Sequence, residues 1–338
     1  MKKIKRLIIP LFIVLSILVV SSCSKEEIVL SPTDAVGNSG DSGSGNSNSG
    51  DSSNSGNQEQ GSEGEITLYK VEGDNISKIK DYKVSGQDLE YQKDVAKHNQ
   101  IWDLVKKIVP LNQRSKMGEF LIYNGDITGS AGFVVEIKQD LSSWKMGIAI
   151  NYAFEGSFNA NGELAYTIIH EFGHVLTLDN TQLDSSISSG DCKNYYPGEG
   201  CAKENSYINE LHSKHWKDIW SEYEEAKKDQ SSQQKFYDKY KERYVTQYAS
   251  TNPGEDVAEV FATFVTKKEK PAGNTGAEKK ILLMYNRSEL VDFRDHIRKN
   301  LQLRGKGNTA SFELPEPGKW KQANTFGNPL KTKCRHRH

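Results

Sequence analysis

The stretch Thr167-Ile168-Ile169-His170-Glu171-Phe172-Gly173-His174-Val175-Leu176 decides how this chain is read. It sets two histidines four residues apart, with a glutamate directly after the first. Residues three and four apart are neighbours on a helix, so helical backbone here brings both imidazoles onto one face, where they can share a metal ion. At 3.6 residues per turn the two rings lie about 40° apart around the axis. Leu164, Ala165, Ile168, Phe172, Val175 and Leu176 fall on the other side. The pattern predicts a helix that buries one face and turns His170 and His174 toward a cleft. Gly173 costs roughly 1 kcal/mol relative to Ala inside a helix, which points to a close packing approach there. Glutamate is the residue type such a site needs as a general base toward metal-bound water, and Glu171 stands in place for that role. The competing reading is an ordinary amphipathic helix with two solvated or core histidines.

A catalytic zinc site needs a third protein ligand and an open fourth position. The search for that ligand ends at Tyr248-Ala249-Ser250-Thr251-Asn252-Pro253-Gly254-Glu255-Asp256-Val257-Ala258-Glu259-Val260-Phe261-Ala262. Pro253 and Gly254 read as a helix start, and acidic residues fill the first turn, where the helix dipole favours them. Glu255 and Glu259 are four apart and share a face, while Val257, Val260, Phe261 and Phe264 cover much of the other. One carboxylate can bind a metal while the other, one turn away, accepts the free N–H of a liganding histidine and so fixes its tautomer. The alternative is an acidic first turn on a solvated helix.

Together the two segments resemble the gluzincin metallopeptidases, in particular the branch that contains anthrax lethal factor and the clostridial Pro-Pro endopeptidases. The resemblance rests on His-Glu-x-x-His at 170–174, on Tyr248 seven residues before Glu255, and on the Glu255-x-x-x-Glu259 helix. The stretch Tyr248–Phe264 is also similar to zinc metallopeptidase lipoproteins of Bacteroidetes, some of which accompany nutrient-import systems. The resemblance implies one Zn²⁺ held by His170, His174 and Glu255. It implies Glu171 as general base, Tyr248 as donor to the developing oxyanion, and Glu259 as the residue holding a liganding histidine from behind. It also implies an α+β, zincin-like fold: a small mixed β-sheet packed on the His170 helix, followed by a mostly helical C-terminal lobe. The substrate is then a protein or peptide bound in extended form.

The ends of the chain bear on location. Met1-Lys2-Lys3-Ile4-Lys5-Arg6 is basic, Leu7–Val20 is apolar, and Val20-Ser21-Ser22-Cys23 follows. This resembles a bacterial lipoprotein signal peptide over residues 1–22, cleaved before a lipidated Cys23. The apolar run is shorter than the ~20 residues a membrane span needs. Residues 1–22 carry four basic residues and no acidic one, so their removal takes the formal charge from −1 to −5. Such a balance offers no basic surface for nucleic acid. Ser24-Lys25-Glu26-Glu27 resembles the surface-export signal of some Bacteroidetes lipoproteins. From about Ser31 to Gly64 the chain is mostly Gly, Ser, Asn and Asp, so residues 23–65 read as a tether from the lipid to the folded part. The expected setting is the bacterial cell envelope, outside the cytoplasm, with the membrane engaged through Cys23.

Residues 66–320 are enough for one sizeable domain, and 321–338 read as a tail. A helix is expected from Ser85 to about Ile108, ending near Pro110. Three β-rich runs follow at Phe120–Tyr123, Gly132–Ile137 and Met146–Tyr152. By the resemblance, the last of these is the edge that pairs with substrate. The segment between the two metal motifs holds Cys192 and Cys201, expected to form a disulfide outside the cytoplasm. Cys334 has no obvious partner. Helices are expected over Ser206–Lys228, Gln233–Tyr244 and Glu278–Leu301, with His212 and His215 half-buried or exposed rather than ligands. The leading functional expectation is an envelope-anchored zinc endopeptidase. The alternative is an inactive substrate-binding lipoprotein of a nutrient-uptake system that retains the fold.

Overall fold

The computed structural model describes residues 59, 61–158, 160 and 162–303, all within the unit Ser55–His338. The expected signal peptide, Cys23, nearly all of the tether, Cys334 and the tail lie outside the described residues. Among the described residues no helix is long and apolar enough to cross a membrane.

The elements in chain order begin with strands β1 (Glu65–Glu72) and β2 (Asn75–Asp81), then helices α1 (Gln87–Lys93), α2 (Val95–Ile108) and α3 (Leu111–Arg114). Strands β3 (Met117–Tyr123), β4 (Gly132–Glu136) and β5 (Trp144–Ala149) follow, then α4 (Ile150–Ala153) and α5 (Glu163–Leu178). A short β6 (Leu183–Asp184) pairs with β7 (Cys201–Ala202). The rest is helical: α6 (Tyr207–His215), α7 (Trp220–Ala226), α8 (Gln230–Tyr240), α9 (Pro253–Thr266), α10 (Gly276–Tyr285) and α11 (Ser288–Asn300). The chain is therefore α+β, with a small mixed sheet followed by helices.

The main sheet runs β2-β1-β3-β5-β4. Only the β3/β5 pair is parallel; β1/β2, β1/β3 and β4/β5 are antiparallel. Period-two alternation gives the sheet an inner and an outer face. Phe120, Ile122, Val134, Trp144, Met146 and Ile148 point into the main core, against Ile101, Trp102, Val105 and Ile108 of α2 and the apolar residues of α5. Leu68, Leu121, Tyr123 and Ala149 form a smaller cluster on the outer face, where Phe133 lies over Gly147; a β-carbon on Gly147 would stand 2.3 Å from that ring.

Two sequence expectations change here. The strand before α5 ends at Ala149, and Ile150–Ala153 is a helical turn. This strand is not an edge: β5 lies between β3 and β4, and β4 takes the edge position. A parallel β3/β5 pair needs a crossover connection; β4 is in that connection and returns antiparallel along the far side of β5. The β1–β2 hairpin escaped the sequence reading. Its outer strand is mostly exposed, with Ile79 at 50%, and β1 carries a register shift at Leu68/Tyr69 that breaks alternation. Gly73 (φ 63°) occupies the first position of its two-residue turn, as in a type II′ hairpin. The segment read as the end of the tether is already engaged with the fold: Gly64 is buried, and its carbonyl accepts from Asn124 N at 2.8 Å.

The helices are shorter than their periodicity suggested. Asp94 divides α1 from α2 and accepts from Lys97 N at 3.2 Å, acting as the cap of α2. The expected Ser206–Lys228 and Glu278–Leu301 helices each break into two. At the second break Arg287 turns to Glu210 Oε2 (2.7 Å), a tertiary bond that periodicity does not encode.

Candidate metal centre

Helix α5 carries His170, Glu171 and His174, and α9 carries Glu255 and Glu259. The two helices cross at Gly173. A β-carbon there would stand 3.2 Å from Phe261 Cδ1 and 3.4 Å from Ala258 Cα, so the helices pack closely here and even a methyl group would fit tightly. The expected amphipathic character of α5 does not hold. All of its residues after Glu163 are buried, because α9 covers the histidine face that was expected to look into a cleft.

Helix α9 is fixed at both ends. Asn252 accepts from Glu255 N at 2.9 Å, and Pro253 sits in the first turn. At the other end Arg294 and Arg298 of α11 donate to the carbonyls of Phe264 (2.8 Å) and Val265 (2.8 Å), which the helix itself leaves unsatisfied. Neither arginine carried a signal in the sequence, since capping across elements is visible only once α11 is placed.

Between the helices, three side chains converge. His170 Nε2 lies 3.1 Å from His174 Nε2 and 3.2 Å from Glu255 Oε2, and His174 Nε2 lies 3.4 Å from the same oxygen. Ligands in tetrahedral array at bond lengths of about 2.0–2.1 Å stand about 3.3–3.4 Å apart. The triangle therefore matches one face of a coordination tetrahedron, and this buried group could hold a metal ion. Two imidazoles and a carboxylate suit a divalent cation of borderline hardness. Burial opposes ionisation of Glu255, yet His174 and His170 outweigh it and hold the carboxyl well below its usual range.

Glu259 completes the arrangement from behind. Its Oε1 is 2.7 Å from His170 Nδ1, so it can accept a hydrogen bond from an Nδ1–H and leave the Nε2 lone pair facing Glu255 and His174. Its other oxygen accepts from Thr246 Oγ1 at 2.7 Å and from Tyr166 OH at 3.3 Å. Burial, with Glu259 beside it, pushes the Tyr166 hydroxyl well above its usual pKa, so it stays a donor. The sequence reading missed both residues. Tyr166 had a usable signal, one turn before His170 on the same helix face, whereas Thr246 had none.

The remaining expected residues are also close. The Tyr248 ring, in a 3-10 turn at Tyr248–Ser250, lies 5.9 Å from the His170 ring. Glu171 is buried beside the edge strand, where a β-carbon on Gly132 would come 2.9 Å from its Cγ. Cys192 and Cys201 form a disulfide, and β7 places Cys201 next to Asp184 of β6. His212 and His215 are half-buried on α6, and neither belongs to the metal group. A cavity of about 260 Å³ bounded by Tyr244, Thr263, Lys267, Glu278 and Ile281 includes none of the metal-site residues in its wall.

No family model, curated protein or solved structure matches the chain.

Proposed function

We propose that this protein is a zinc endopeptidase of the gluzincin kind, anchored in the bacterial cell envelope through a lipid on Cys23. The observation that carries the reading is the 3.1–3.4 Å triangle of His170, His174 and Glu255, backed by Glu259 at 2.7 Å from His170. An acidic cluster alone would not need a carboxylate behind a histidine whose other nitrogen faces the ligand group; a metal site does. Bound there, zinc would supply a Lewis acid that acidifies water and polarises a peptide carbonyl.

The chain's own residues then divide the work. Glu171, adjacent to a ligand in sequence and on the β4 side of α5, takes a proton from water as its oxygen attacks the carbonyl carbon. The same carboxyl returns the proton to the amine as the C–N bond breaks. Tyr248 donates its hydroxyl to the carbonyl oxygen as negative charge builds there. Glu259 keeps His170 oriented, with Thr246 and Tyr166 fixing Glu259 in turn. An extended substrate adds to the sheet at the β4 edge, beside Glu171, and not at the strand expected from the sequence.

The test is zinc content of the purified chain beside Glu255→Ala and Glu171→Gln, together with hydrolysis of a peptide library. One zinc per chain, lost in Glu255→Ala and kept in an inactive Glu171→Gln, is the expected result. A folded wild-type chain that takes up no added zinc would overturn the reading and favour a substrate-binding lipoprotein. Full turnover by zinc-loaded Glu171→Gln would remove that residue from the reaction.

A further inference from the structure

Directly after the ligand Glu255 comes a second fully buried carboxylate that the chemistry above does not use. Asp256 faces away from the metal group, and its Oδ2 accepts from Trp216 Nε1 at 2.7 Å and from the Lys280 ammonium. Both side chains of the ion pair are fully buried. The ammonium also lies 4.2 Å from the centroid of the Tyr244 ring and 5.7 Å from that of Trp216, so aromatic faces help hold it. Trp216 stands at the end of α6, and Lys280 lies on α10. One carboxylate thus ties three elements together one residue from the metal.

Stability alone is a weak reason for such a pair. Burying two charges costs desolvation, and apolar residues of similar size often serve as well or better. What directional bonds add is orientation. At 3.6 residues per turn Glu255 and Asp256 project about 100° apart, while Glu255 and Glu259 project about 40° apart. Helix α9 is therefore gripped at two positions about 60° apart around its axis: by His170 and Thr246 on Glu259, and by Lys280 and Trp216 on Asp256. A carboxylate at the rim of a helix, roughly 5–6 Å from its axis, moves about 2 Å when the helix turns by about 20°. Metal–ligand distances tolerate only about 0.2 Å.

We propose that Lys280, Asp256 and Trp216 are positioning residues that fix the rotation of α9 and so seat Glu255 in the metal-binding triangle. This rests on the zinc-site reading above, and metal binding alone, without turnover, tests it. The full chain is compared with Lys280→Met, Asp256→Leu/Lys280→Met and Trp216→Phe, using zinc(II) affinity by chelator competition and the visible bands of cobalt(II) added as a probe. The single and double charge variants are expected to bind zinc ten- to 100-fold more weakly, in the range seen when support behind a ligand is lost. Their cobalt bands should shift or lose intensity while circular dichroism stays that of a folded chain. Trp216→Phe keeps an aromatic ring and both charges but removes the N–H donor together with part of the indole's bulk; it serves if the charge variants fail to fold, with at least threefold weaker binding expected. Wild-type zinc affinity and wild-type cobalt bands in a folded variant would overturn the proposal while leaving the zinc site intact. A wild-type chain that binds neither metal would overturn both.

Discussion

Gly132 on β4 and Glu171 on α5 touch in a way that leaves no room for a side chain on the glycine. A β-carbon there would stand 2.9 Å from Glu171 Cγ and 2.6 Å from Thr167 Cγ2. Gly132→Val should push Glu171 or the edge strand aside, while none of the three ligand side chains is among the atoms nearest to that β-carbon. Displacements of about 1 Å near reacting groups cost about 100-fold in rate. The expected result is a drop of that order in peptide hydrolysis with zinc content unchanged. Wild-type turnover in Gly132→Val would show that Glu171 needs no such support.

The carboxylate behind His170 gives a second prediction. Glu259→Gln replaces a full acceptor at 2.7 Å from Nδ1 with a neutral amide. Zinc affinity should fall about 10- to 100-fold. Thr246→Val, which removes the 2.7 Å bond to Glu259 Oε2, should fall in the same direction by less. Chelator competition at fixed pH measures both, and equal affinity in all three proteins would separate Glu259 from metal binding.

Acid should destabilise the fold through two histidines that are not part of the ligand group. Burial pushes His212 down to about 4, and burial, with Lys280 adding repulsion, pushes His215 down to about 4. His212 stacks on Tyr195 with ring centroids 4.3 Å apart and meets Trp220 edge-on. In the unfolded chain each titrates near 6.5. Between about pH 6.5 and pH 4 the unfolded state therefore binds protons that the folded state does not, and stability falls as pH falls. Urea midpoints at several pH values across that window should decline, and more shallowly in His212→Gln. A flat profile would mean that these rings are protonated in the fold.

The Cys192–Cys201 disulfide closes a short loop, with a separation of nine residues. Chain-entropy arguments give about 2–3 kcal/mol for a loop of this length. The Cys192→Ser/Cys201→Ser variant should lose stability by about that amount in urea unfolding, with zinc content retained. A loss of zinc as well would show that the loop supports the metal site.

Much of the candidate site was readable before any coordinates. His170/His174 and Glu255/Glu259 are each four apart, and helical geometry alone puts each pair on one face. The Pro253 helix start and the close approach at Gly173 also follow from local rules, because Pro and Gly constrain backbone and packing wherever they stand. The β1–β2 hairpin was not readable, since a mostly exposed outer strand has no apolar alternation to detect. Nor was the near-complete burial of α5: its histidine face, polar in sequence, is covered by Glu255 and Glu259 of α9 rather than by water, and Glu171 is buried beside Gly132 of β4.

The sequence by itself determined two metal-competent helix faces, a cysteine pair able to close a loop, and an α+β order of elements, because each depends on residues close together in the chain. Tertiary structure alone decided that Glu255 Oε2 closes a triangle with His170 and His174, that β4 and not β5 is the edge strand at that end of the sheet, and that Asp256 meets Lys280 and Trp216. Those relationships join residues far apart in sequence. They are set by how α9 packs across Gly173 and how the crossover places β5, and no local pattern carries that information.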